Sequence, residues 1–154
     1  MDTASSTTHE RRPQNHRFND VNDEPDKILP PLPPIAPVPS DLSLRRAVGP
    51  IHHLVTDLPN HVSYALDKCQ NPKDGLTQEQ SATIFLYTLE WPENRTSFYD
   101  VFNRALRAEN RIEMIPFLSY YQLFMSAFSK LPPGNGQVWR GEAGNWGAKY
   151  AQGE

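Results

Sequence analysis

Few side chains in this sequence offer chemistry. Gln137-Val138-Trp139-Arg140-Gly141 sets a guanidinium in a run of β-branched and aromatic residues bounded by glycines. Such a run reads as one short β-strand. Successive strand side chains alternate faces, so Trp139 points away from Arg140 and belongs to a core or a pocket wall. Glu142 follows closely and reads as a solvated neighbour. Arg104, Arg107 and Arg111 recur at helical spacing and form a basic ridge. Such a ridge is either a solvated helix face or a surface for phosphates or an acidic partner. His52 and His53 are adjacent, so on a helix they point about 100° apart, a poor metal pair beside one spaced i, i+4. Cys69, the single cysteine, falls on an apolar helical face and reads as a buried structural thiol. One cysteine supports neither an internal disulfide framework nor a Cys-rich zinc site.

A different chemistry lies near the start. Lys27-Ile28-Leu29-Pro30-Pro31-Leu32-Pro33 is a basic residue followed by P-x-x-P spacing. It resembles an SH3 ligand, in which a preformed polyproline II helix docks at little entropic cost and the basic residue meets an acidic groove rim. The bland reading is a stiff spacer. The partner this allows is an SH3 or WW domain at Lys27–Pro39.

The elements that must position these groups begin after residue 40. Eight of the 15 prolines lie in residues 1–40. Residues 1–26 are rich in Ser, Thr, Asn, His, Asp and Arg, with too little apolar surface to offset the entropy of ordering them. Residues 30–39, PPLPPIAPVP, favour polyproline II. The expected organisation is therefore a disordered tail and Pro-rich linker over 1–40 and a folded unit over 41–154. Of the 154 residues, 15 are Lys or Arg and 18 Asp or Glu, a formal charge of −3. That balance argues against a nucleic-acid-coating role, which needs a basic face. Mean hydropathy is −0.63, and no stretch approaches the roughly 18–20 apolar residues of a membrane span. Residues 1–27 contain no apolar core of a secretory signal. The expectation is a soluble, cytoplasmic protein without nucleic-acid or membrane partners.

Local signals within 41–154 predict about four helices. Asp57-Leu58-Pro59 starts the first, with Val62, Leu66 and Cys69 at helical spacing, and Asn71-Pro72 and Asp74-Gly75 end it. Thr77 and Gln80 have capping-box spacing ahead of the second, whose apolar face is expected from Ile84, Phe85, Thr88 and Leu89, with Trp91-Pro92 as its stop. Phe98, Val101, Phe102, Ala105 and Leu106 give the third the pattern i, i+3, i+4, i+7, i+8. After a turn around Arg111–Ile115, Pro116 is expected to open a fourth through about Lys130, lined by Phe117, Tyr121, Phe124 and Phe128. Leu131-Pro132-Pro133-Gly134-Asn135-Gly136 then delivers the chain into the short strand. A lone strand leaves unpaired backbone groups, and no second convincing strand follows. Helices followed by one strand read as the first part of a larger α+β unit.

Three segments together carry a resemblance. They are Gly75-Leu76-Thr77-Gln78-Glu79-Gln80-Ser81-Ala82 running into Leu86-Tyr87-Thr88-Leu89-Glu90-Trp91; Asn103-Arg104-Ala105-Leu106-Arg107 followed by Pro116-Phe117; and Lys130-Leu131-Pro132 leading to Val138-Trp139-Arg140-Gly141. In order and spacing they resemble the amino-terminal part of the arginine-specific mono-ADP-ribosyltransferase family, over roughly residues 50–154. The resemblance implies a helical lobe and first strand preceding a β-sandwich that binds NAD or NADP as substrate. It implies transfer of ADP-ribose to arginine side chains of acceptor proteins. It makes Arg140 the family's strand-borne arginine, whose fork suits the phosphates and ribose of the dinucleotide. Gly141 would let the backbone approach that ligand closely. The family's S-T-S triplet and E-x-E loop are not in these 154 residues. The expectation is therefore an apparently truncated domain with little or no transferase activity of its own. The competing expectations are a non-catalytic Pro-rich interaction module and a poorly folding remnant.

Overall fold

A computed structural model describes residues 28–137 except Glu93. It is mainly helical. Five α-helices run in order: α1 (Leu44–Ala47), α2 (Leu58–Lys68), α3 (Gln78–Thr88), α4 (Phe98–Arg107) and α5 (Leu118–Phe128). Short 3₁₀ segments cover Gly49–Ile51 and Arg111–Phe117. No strand occurs among the described residues. Val138–Gly141, the expected strand, lies outside them.

The boundaries follow local chemistry. α2 starts where Pro59 occupies the first turn, a position whose N–H has no intrahelical partner to lose. Asp57 ahead of it is left-handed at φ 60°, and its carboxylate accepts from Asn60 Nδ2 rather than from the helix backbone. The reversal after α2 closes with Leu76 N donating to Lys73 O at 3.0 Å. Asp74 (φ 56°) and Gly75 (φ 70°) are both left-handed there, a pairing that Asp-Gly tolerates well. α3 opens with a reciprocal capping box: Gln80 N donates to Thr77 Oγ1 at 3.2 Å and Thr77 N to Gln80 Oε1 at 3.1 Å. α4 opens the same way, with Asp100 N donating to Ser97 Oγ at 3.1 Å and Ser97 N to Asp100 Oδ2 at 3.3 Å.

The core is one cluster centred on α3, α4 and α5. Tyr120, Phe98 and Phe102 are its largest fully buried side chains. Their rings meet edge to face, at 4.5 Å for Phe98–Tyr120 and 5.0 Å for Phe102–Tyr120, the arrangement that ring quadrupoles prefer. Burying each such ring contributes about 1.5–3 kcal/mol. The expected α4 stripe holds: Phe98, Phe102 and Ala105 are buried, and Val101 and Leu106 pack against them.

Three expectations are corrected. The segment before Asp57, given no element from sequence, contributes Leu44, Ala47, Val48 and Ile51 to the core. One-turn helices are too short to display a period. The buried residues of α3 are Gln80, Ala82, Thr83 and Leu86, whereas Ile84 and Phe85 are half-buried and Thr88 is exposed. α3 packs against α1, α2, α4 and α5, so its apolar residues surround it and no single face stands out. The core face of α5 is Tyr120, Leu123 and Ala127. Phe117 is buried in the preceding turn, Tyr121 and Phe124 are half-buried, and Phe128 is 55% exposed. Pro116 and Phe117 belong to the 3₁₀ segment, which winds at about 3.0 residues per turn instead of 3.6. A face projected through it as α-helix lands on the wrong residues.

Candidate functional site

The described parts of the three segments singled out in the sequence meet in space. The first and third join at Gln80, only 9% exposed. Its Oε1 completes the α3 capping box and also accepts from Lys130 Nζ at 2.9 Å. Its Nε2 donates to Ser126 Oγ at 3.2 Å. Lys130 Nζ donates in addition to Gly75 O at 3.3 Å. One lysine thus ties the turn before α3 and the first turn of α3 to the chain just after α5. The second segment joins through Tyr87 and Asn103, whose Oη and side-chain amide lie 3.3 Å apart. A buried amide of this kind is retained only when its polar atoms are satisfied, and Gln80 is bonded at both ends.

The same region is braced from below. Tyr120 Oη donates to Thr83 O at 2.8 Å in the buried interior. Burial holds the Tyr120 phenol well above its ordinary pKa, with the neighbouring Tyr87 adding to the shift. Glu79 reaches across to α1, where Leu44 N donates to its Oε2 at 2.6 Å. The result is a fixed platform from which Leu131 and Pro132 leave α5.

Arg140 and Gly141, the residues expected to bind NAD or NADP, lie outside the described residues, as do Trp139 and Glu142. The basic ridge is not one surface. Arg104 is exposed and Arg107 half-buried. Arg111 is turned onto the backbone: Nη1 donates to Leu106 O at 2.7 Å and Ala108 O at 3.2 Å. Its Nε donates to Pro30 O at 2.9 Å, and Nη2 donates to the same carbonyl. Those donors are committed, so Arg111 does not present a phosphate fork. No sequence signal announced this bond, because its partners are 81 positions apart.

The remaining candidates are structural in their surroundings. Cys69 is buried at the C-terminus of α2. His52 Nδ1 lies 2.7 Å from Gly49 O. His61 was not singled out from sequence, yet it stacks on Trp91 with ring centroids 3.9 Å apart. Trp91 Nε1 donates to Thr56 O at 3.3 Å, which anchors the chain after α3 beside α2. Among the described residues no group of three or more His, Cys, Asp or Glu could hold a metal ion, and no helix is long and apolar enough to cross a membrane. The chain matches no protein-family model, no curated protein and no solved structure.

Proposed function

We propose that residues 41–154 are the helical lobe and arginine-bearing first strand of an α+β mono-ADP-ribosyltransferase domain directed at protein arginine. NAD or NADP is its ADP-ribose donor. The observation that supports this reading is the Lys130–Gln80 bond at 2.9 Å. It joins the first and third of the segments that carry the resemblance, at the point where the chain departs toward Arg140. In this reading the lobe aims the following strand, Arg140 grips the pyrophosphate and ribose through its planar fork, and Gly141 admits the dinucleotide close to the backbone.

The 154 residues contain no E-x-E. A glutamate in that loop favours the cationic transition state as nicotinamide leaves. Losing preorganised charge of this kind costs about 10²–10³ in rate. The chain alone therefore binds dinucleotide without turning it over at a useful rate. A thermal melt with NAD and NADP, run beside a biotin-NAD transfer assay on an arginine-rich acceptor, tests both halves. Saturation at 100 times Kd stabilises by about 2.7 kcal/mol, and Arg140→Ala removes that shift. A melt unmoved by millimolar NAD and NADP, or a shift that survives Arg140→Ala, refutes the assignment of the site. Transfer by the 154 residues refutes the inactivity.

A further inference from the structure

We infer that the helical domain masks its own proline-rich ligand, so that an SH3-type partner reads Lys27–Pro33 only by displacing the segment from Arg111. This inference is independent of the transferase reading. A polyproline II helix turns once in three residues, so this segment sorts onto three ridges. One carries Leu29, Leu32, Ile35 and Val38. The second carries Pro30, Pro33, Ala36 and Pro39. The third carries Ile28, Pro31, Pro34 and Pro37. Burial concentrates on one side: Leu29, Leu32 and Val38 of the first ridge and Pro33 of the second are half-buried, Ile35 is 49% exposed, and all four residues of the third ridge are exposed. Leu32 and Val38 pack against the core cluster. The segment described is therefore docked on the domain, where its composition alone reads as a free spacer.

Arg111 is the latch. Its guanidinium spans from the last carbonyls of α4, at Leu106 and Ala108, to the carbonyl of Pro30. Pro30 is the first proline of the K-x-x-P-x-x-P run. An aromatic-lined groove encloses two adjacent ridges of a polyproline helix and leaves the third to solvent. The pair that buries most apolar surface is Leu29-Pro30 with Leu32-Pro33, and Lys27, which lies outside the described residues, precedes it by the spacing that reaches an acidic rim. The domain already covers Leu32 and holds the Pro30 carbonyl. Groove and domain thus compete for one surface, and docking is mutually exclusive with partner binding.

Apparent affinity falls by the fraction of molecules in the competent state, so a docked-to-free ratio of about 10 weakens partner binding about tenfold. The experiment titrates an isolated SH3 domain that selects basic-first ligands against the full chain and against a synthetic peptide of residues 24–36. The peptide binds about tenfold tighter than the chain. Val38→Ser lies outside the ligand run and loosens only the docking, so in the full chain it recovers most of the difference. Arg111→Gln does the same by releasing Pro30, and circular dichroism of both variants reports retained helix. Equal affinity of peptide and chain overturns the inference, as does a peptide that does not bind, or variants that stay folded and leave the chain's affinity unchanged.

Discussion

Replacing Gln80 and Lys130 by methionine, singly and together, measures the junction between the start of α3 and the chain after α5. Methionine keeps the length and apolar body of either side chain and removes its polar end. Gln80→Met strips a partner from Thr77 N, from Ser126 Oγ and from Lys130 Nζ. Loss of the capping contact costs about 1 kcal/mol. Loss of a hydrogen bond to a charged group costs about 1.5–3 kcal/mol when buried. Lys130 is exposed, so that share is reduced to about 1 kcal/mol. The sum is about 2–3 kcal/mol, or roughly 10 °C in Tm for a domain near 100 residues. Lys130→Met loses the bonds to Gln80 and Gly75 and costs about 1 kcal/mol, since Gln80 Oε1 keeps the bond from Thr77 N and Gly75 is exposed. The two losses share one bond, so the double variant is less destabilised than the sum by about 1 kcal/mol. Urea unfolding followed by far-ultraviolet circular dichroism gives all four stabilities. Additivity within about 0.3 kcal/mol would show that the 2.9 Å contact couples nothing, and the argument that the junction aims the chain would fail with it.

Two further outcomes follow from the packing. Ser97→Ala removes the acceptor for Asp100 N and half of the α4 capping box, and costs about 1 kcal/mol by chemical denaturation; a change under 0.3 kcal/mol would mean that the first turn of α4 frays in solution. Tyr120 sets an alkaline limit. Its folded pKa is raised above the ordinary value near 10.0 by burial, so its contribution is fully present below that value and is lost as pH rises above it. Tyr120→Phe costs about 1 kcal/mol at neutral pH through the bond to Thr83 O, and its stability falls less steeply than the wild type's above pH 10. Parallel pH–stability curves for the two proteins would contradict this.

Legibility in the sequence tracked the range of the interaction. The box of Thr77 and Gln80, the Leu58-Pro59 start and the Asp74-Gly75 reversal were all readable, because each is settled within about four residues of chain. The α4 stripe was readable because that helix buries one side only. Arg140 and Gly141 were reached through a resemblance whose test is dinucleotide binding in solution. Glu79 as a partner of α1, 35 positions from Leu44, and Leu44, Ala47, Val48 and Ile51 as core were not readable, since four residues cannot display a period.

The amino-acid sequence by itself determined that four helices of ten or eleven residues form and where α2 and α3 begin. Their caps, prolines and glycines act on their own neighbours. It also determined that the described residues after about 41 are mainly helical. Only the tertiary structure decided which sides of α3 and α5 are buried. α3 is apolar around its circumference, and a 3₁₀ turn shifts the phase of α5, so the choice falls to the helices packed against them. Only the tertiary structure joined Lys130 to Gln80 across 50 positions and Arg111 to Pro30 across 81. A guanidinium or an ammonium carries no mark of a carbonyl that far away. Its partner is set by where the packed core leaves it.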